Sequence, residues 1–382
     1  VIARATNAGR WVLAALVLSL AGCGVFGIGS NSDAPKPTPL TPIEGGLAMK
    51  AAWSVSVGKA KGYSFMPELE GGRVYAASAD GVITMIEEDT GRVVGKIETK
   101  RELSGGLAIE EGKIIVGTLK GDVLAYDVTG KNVWTANIAG EVIAPASASR
   151  KVAVIRTADG RIFGLGLDDG KRKWVYQRPM PVLMLRSETG VLSIGGDVLA
   201  GYPGGKLIAL DIEDGKLTWE VTVSLPRGST ELERIADIAG VPVLDGPRVC
   251  AAAFQGKVAC FEIQTRNMVW SRDIWSSRGL AVDAKNIYIA DDNGNVHALD
   301  KAAGASVWKQ DKLAYRRLTA PLLVNGRIVV GDGQGFLHVL SPDDGHFLGR
   351  LPTDGSAITR LVPAPGGLVA QTAGGSVVAV RF

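Results

Sequence analysis

Residues 205–219 read Gly205-Lys-Leu-Ile-Ala-Leu-Asp211-Ile-Glu-Asp-Gly215-Lys216-Leu-Thr-Trp219. A glycine opens an apolar run, Asp and Gly mark a tight turn, and a second run reaches a tryptophan. The same order recurs behind Gly121, with Asp127, Gly130, Lys131 and Trp134, and behind Gly294, with Asp300, Gly304 and Trp308. The opening glycine stands at Gly81, Gly121, Gly160, Gly205, Gly256, Gly294, Gly335 and Gly375, at intervals of 40, 39, 45, 51, 38, 41 and 40 residues. Alternation is of period two, with no helical period. Two further strands fit before each next glycine, for example 141–149 and 151–157. Four strands in about 40 residues is the size of a propeller blade. The expected fold is all-β: an eight-bladed β-propeller of four-stranded antiparallel blades.

The tryptophan falls 13 or 14 residues after its glycine at Trp134, Trp174, Trp219, Trp270 and Trp308. An indole there offers roughly 150–250 Å² to bury and one N–H that needs an acceptor. It is expected to fill the gap between neighbouring blades. Gly95 and Gly349 stand in its place in two repeats, so those junctions must pack differently. The chain ends one strand short of a tryptophan strand, at Phe382, while residues 51–57 carry Trp53 in such a strand. An N-terminal strand completing the last blade would close the ring and remove an edge.

Composition narrows the function. Lys and Arg number 42 against 39 Asp and Glu, a net charge of +3, which does not suit a nucleic-acid binder. A 46% apolar fraction excludes wholesale disorder. Three Cys and three His are too few for a disulfide framework or a metal cluster.

Arg4 and Arg10 precede an apolar run over residues 11–20, too short to span a bilayer as a helix, which needs about 20 residues. Leu20-Ala-Gly-Cys23 resembles the bacterial lipobox, which implies cleavage before Cys23 and lipidation of its thiol. Gly24 next to it, in place of Asp, implies sorting to the outer membrane. Pro35, Pro37, Pro39 and Pro42 favour an extended tether. The expected organisation is a signal peptide over 1–22, a lipidated Cys and tether over 23–46, and the propeller over 47–382.

The pattern Ala-x-Asp-x-x-x-Gly-Lys-x-x-Trp is similar to the tryptophan-docking repeat of quinoprotein dehydrogenases. With the lipobox and the compact length, the chain resembles the propeller lipoproteins of the outer-membrane β-barrel assembly machinery. The more specific stretches are 183–186, 228–234 and 330–338. The resemblance implies a non-enzymatic scaffold without cofactor. Its expected partners are the periplasmic POTRA domains of the barrel insertase and nascent outer-membrane β-barrel proteins. It also implies a contact set of Leu183, Leu185, Arg186 and Asp237, with Glu231 and Arg234 in the neighbouring loop. Ala239 stands where the family pattern has a second acid.

The two longest intervals, 45 and 51, are consecutive, and residues 183–186 and 229–234 share a phase in the repeat, hence one face of the disc. Long loops on one face suit binding, and Leu beside Arg suits an interface. Alternation alone also allows Leu183 and Leu185 to be inner-strand core. Arg101, Arg186, Arg278, Arg316, Arg317 and Arg360 share a phase near each inner strand. They are expected either to ring one channel mouth as an electropositive opening for an acidic partner, or to pair with Glu102, Asp273, Asp311 and Asp354. Cys250 and Cys260 flank a hairpin turn and read as a cross-strand disulfide or as two small buried residues.

The rival reading is a quinone- and calcium-dependent dehydrogenase. The chain has no adjacent Cys pair, is short for that class, and scatters His297, His338 and His346 over repeat strands and turns. A sugar-binding propeller would cluster aromatics on one face, where only Trp275 and Tyr315 fall.

Overall fold

A computed structural model describes residues 35–382 apart from Ala48, Ser187 and Thr189. The leader and Cys23 lie outside the described residues. The body Pro37–Phe382 consists of eight four-stranded antiparallel sheets around a central channel. Blade 1 comprises Glu68–Glu70, Arg73–Ala77, Val82–Glu87 and Val93–Glu98, and blades 2 to 7 repeat that order. Blade 8 is composite: Ile358–Ala364, Gly367–Thr372 and Ser376–Arg381 are completed by Ala51–Ser56, which pairs antiparallel with Ser376–Arg381. The expected closure is thus present, and Trp53 belongs to the last blade.

Only the outermost strands alternate cleanly. In Asn132–Asn137 the side of Trp134 is buried and its neighbours are exposed. The two middle strands, such as Val152–Arg156 and Ile162–Gly166, are buried on both faces because each blade is sandwiched between two others. Such strands read as continuous apolar runs. Accordingly the core is eight layers, each built from two adjacent blades; Trp134, Ile115, Phe163 and Leu165 share one. The inner strand of blade 3 is only Ser147–Ser149, since residues before it form the connection from blade 2.

The repeat motif encodes the junctions. Asp211 Oδ1 accepts the N–H groups of Glu213 (2.8 Å) and Asp214 (3.2 Å), and Gly215 N donates back to Asp211 O (2.9 Å). This turn, with Gly215 at φ +71°, lies under Trp174 of the preceding blade. A Cβ on Gly215 would stand 2.5 Å from the indole. The Trp174 Nε1–H donates to Ile212 O at 2.8 Å. Trp53, Trp134, Trp270 and Trp308 dock in the same way, on Gly91, Gly170, Gly304 and Gly345 and on the carbonyls of Glu88, Leu167, Lys301 and Pro342. At these five junctions one blade holds the next by an aromatic face, a glycine and one hydrogen bond.

Three junctions deviate. Behind Gly95 the Met85 side chain fills the missing indole's place, and Ile97 reaches Gly130 of blade 2. Behind Gly349 the filler comes from the N-terminal segment: Met49 and Leu47 lie over that glycine, and Leu47 N donates to Leu348 O at 2.6 Å. Opposite Trp219 the docking glycine is replaced by Arg266 at φ +61°, and Trp219 is only partly buried.

From Pro37 onward the proline-rich segment lies along blades 6 and 7. Thr38 N donates to Ala314 O (3.0 Å), and Leu40 packs into the layer between those blades. Arg316 Nη1 and Arg350 Nη1 donate to Thr38 O (3.0 Å) and Thr41 O (2.9 Å). Behind them Arg316 Nε and His338 Nε2 both reach Asp332 Oδ2, at 2.7 and 2.9 Å, in a fully buried cluster. Arg350 Nε donates to His338 Nδ1 at 3.2 Å, so that imidazole is neutral with its proton on Nε2. Cys250 and Cys260 are direct cross-strand partners and form a buried disulfide.

Two predictions follow from the junctions and the buried cluster. Gly246, at φ +57°, has nothing within 4 Å of a built Cβ, whereas Gly304 at φ +68° carries Trp270. Gly246→Ala should cost only the left-handed strain of about 1–2 kcal/mol. Gly304→Ala should cost a further ~1–3 kcal/mol from overpacking the indole, read as a lower thermal midpoint.

Burial pushes the Asp332 carboxyl up, but His338, the Phe336 N–H and Arg316 outweigh it and hold it at about 2. The group's folded value is depressed, so its stabilisation, about 2 kcal/mol, is complete above pH ~4 and is lost as pH falls towards 2. His338 is pushed below its ordinary value, chiefly by burial. The unfolded chain therefore binds its proton first, and stability also falls as pH drops below ~6.5. Denaturation curves between pH 7 and 2 should show both windows, and Asp332→Asn should shrink the lower one by Asp332's share.

Candidate docking face

The chain leaves each outer strand and crosses to the next inner strand on one face of the ring, where the turns at the repeat glycines also lie. Two of these crossings are long: residues 177–191, between blades 3 and 4, and 223–242, between blades 4 and 5. The sequence-derived contact residues all fall on them, so the structure gathers that set on one sector.

The first crossing projects an apolar tip. Val182 is 99% exposed, Leu183 is exposed, and Leu185 is half-buried behind them. Arg186 is exposed and pairs with Glu141 at 3.0 Å. The base of the crossing is fixed by Tyr202, whose O–H donates to Gly160 O at 2.6 Å. Arg156 and Arg178 lie over its ring, 5.0 and 5.4 Å from the centroid. Arg178 also donates to Glu220 at 2.8 Å.

Asp237 departs from its expected place. It is 4% exposed, and its carboxylate serves this chain: Oδ2 accepts from Leu185 N (2.7 Å) and Oδ1 from Gly204 N (3.3 Å). Burial pushes its carboxyl up, opposed by those two N–H groups and by Arg156. In this structure Asp237 is a brace that ties the Leu183–Arg186 segment to the turn of blade 4. Ala239, in the position of the second acid, is likewise buried.

The second crossing carries Glu231 and Arg234 on an exposed turn. Glu233 closes that turn by accepting from Ser229 N (2.8 Å) and Thr230 N (3.0 Å), while Thr230 Oγ1 accepts from Glu233 N (3.3 Å). Leu225 and Leu232 are exposed beside it, as are Trp275 and Tyr315 on the following crossings. Leu225, Leu232 and Val182 escape sequence reasoning because loop phase gives a face and not a depth. The buried Arg156 had a signal: a charge at the end of an otherwise apolar strand.

At the centre of this face opens a channel of about 910 Å³, to which the inner strands or crossings of all eight blades contribute. Arg186, Arg278, Arg317 and Arg360 line it, as the shared phase predicts. Arg101 and Arg316 do not. Arg101 turns to the rim and pairs with Asp122, and Arg316 is consumed by Asp332 and the Thr38 carbonyl. Three of the four acids named as alternative partners go elsewhere: Glu102 lies 3.9 Å from Lys61, Asp273 pairs with Lys257 at 3.3 Å, and Asp354 accepts from Ser356 and Thr372. His297 and His346 pair with Asp291 and Asp344 as His338 pairs with Asp332.

Residues 79–310 match the family profile described as outer membrane protein assembly factor BamB. A relative of that name from Nitrosomonas eutropha is 45% identical over 86% of this chain and 80% of its own length. The crystal structure of BamB from Moraxella catarrhalis superposes with a TM-score of 0.81 at 27% identity, over 87% of this chain and all of that one. A quinohemoprotein alcohol dehydrogenase from Comamonas testosteroni gives a TM-score of 0.70 at 12% identity, over 87% of this chain and 76% of that one. At that identity the likeness is one of fold alone.

Removing the brace tests its role. Asp237→Ala strands two buried N–H groups and the Arg156 charge, at a cost of about 2–4 kcal/mol. The thermal midpoint should fall, and hydrogen exchange should quicken at the Leu185 amide while the blade 1 strands keep their protection.

Proposed function

We infer the role of this chain from one premise: it belongs to the BamB family of outer membrane protein assembly factors. It is accordingly a non-enzymatic component of the machinery that assembles outer membrane proteins. The dehydrogenase likeness carries no chemistry across.

The finer reading is our proposal. The ring docks the periplasmic POTRA domains of the barrel insertase through the crossing that carries Leu183, Leu185 and Arg186. The carrying observation is the exposed apolar tip Val182–Leu183 followed by Arg186, held out from the blade by Asp237. Apolar anchors beside an arginine are the composition of interface hot spots, and a pre-set loop loses less entropy on binding. Glu231 and Arg234, on the next crossing, stand at the rim of the same sector. Cys23 supplies the lipid anchor that keeps the ring at the periplasmic leaflet of the outer membrane. No helix among the described residues is long and apolar enough to cross a membrane.

Titration of the protein with the purified POTRA domains tests this. Leu183→Glu and Arg186→Ala should each weaken binding about tenfold or more. Both side chains are exposed, so the thermal midpoint should hold. Wild-type affinity in both variants would move the docking surface elsewhere.

A further inference from the structure

Three of the arginines that line the channel have no carboxylate within 4.0 Å among the described residues: Arg278, Arg317 and Arg360. Arg360 is the most telling. It lies on the inner strand Ile358–Ala364, lining the channel, and the one hydrogen bond of its guanidinium among the described residues runs from Nη1 to the neighbouring Thr359 O at 3.3 Å. Burial lowers its pKa to about 10, Glu188 works against that shift, and Arg278 adds to it. A partly buried guanidinium without an ion pair carries a desolvation cost, and this one sits beside other cations. Glu188, half-buried among Arg360, Arg278 and Arg186, is itself pushed up by burial more than those arginines hold it down. Glu68, the other acid of the lining, is raised to about 7 by burial alone. The channel thus carries four arginines against two carboxyls, both pushed up by burial. Between the charges its wall is apolar, with Ile109, Leu192, Val243, Leu280 and Leu361.

We propose that this channel mouth is an anion-binding site that receives a carboxylate-bearing segment of a partner protein. Arg278, Arg317 and Arg360 take the acidic side chains, and the apolar wall takes the residues between them. Guanidinium groups are matched to carboxylates by their paired donors. The channel's size lies within the range of ligand pockets, roughly 300–1,000 Å³. A protein segment fits better than a free anion because the same face carries exposed apolar anchors on its crossings, Leu183, Leu232 and Trp275. The site borders the docking crossing, with which it shares Leu185 and Arg186, but it rests on Arg278, Arg317 and Arg360 and does not depend on the identity of the insertase.

The experiment uses the full chain in detergent and a fluorescent hexaglutamate peptide, with anisotropy read at rising salt. Saturable binding is expected, weakening with salt and falling at least tenfold in the double variant Arg278→Gln/Arg317→Gln. Both positions lie outside the buried blade layers, so that protein should fold. Arg360→Gln should act in the same direction. Arg101→Gln, whose parent arginine is paired on the rim, should bind as wild type. Absence of binding, or equal binding by the double variant, would overturn the proposal. So would inorganic phosphate competing as well per charge as the peptide, which would make the mouth a free-anion site. Loss of POTRA docking with peptide binding intact would strike the docking reading alone.

Discussion

The ring rests on an indole lying face-down on the glycine of the next blade, with its N–H on a carbonyl of that blade's turn. Nothing larger than hydrogen fits at that glycine, and its left-handed backbone is the one the turn needs. Asp at the start of the turn orders the backbone beneath the indole, so three residue types spaced along one strand pair specify both a hairpin and the junction with its neighbour. Each blade contacts only the two beside it, the condition under which repeat stability becomes a sum of units and interfaces. Closing the circle with residues 51–56 adds one more interface of the same kind and leaves no terminal repeat to cap.

Where the rule fails, the substitutes are local and of different origin. Met85 is borrowed from within its own blade, and Leu47 with Met49 from the far end of the chain. The junction of Trp219 with Arg266 keeps the tryptophan but loses its seat, and it lies between the blades whose connection is longest. The sector proposed for docking therefore also contains one of the three irregular junctions.

Much of this was legible in the sequence because it repeats. Blade number, the shared composite blade, the role of the tryptophans and the phase of the channel arginines all follow from period and turn chemistry. The Cys250–Cys260 pairing needed the hairpin register, which the sequence left open. What could not be read was depth. Asp237 and Leu185 sit on crossings whose course depends on Arg156 and Tyr202, two strands away, so a residue expected at the surface became a buried brace. Arg316 shares its phase with Arg317, its neighbour in the chain, yet one is buried against Asp332 and the other lines the channel. The decisive groups for Arg316, Asp332 and Thr38 O, are 16 and 278 residues distant.

The order in which the N-terminal segment meets the ring has a mechanical consequence. Among the described residues, from Thr38 onward, the chain is held by Arg316 and Arg350 at Thr38 and Thr41, next at Leu47, and only then enters the sheet as the strand that shuts the circle. Tension arriving along that segment is met by the arginines before any of it reaches residues 51–56. The arrangement works as a strain relief does on a cord, where the clamp takes the tug and the soldered joint feels none of it. A leash fastened to this ring can be pulled without tugging at its clasp.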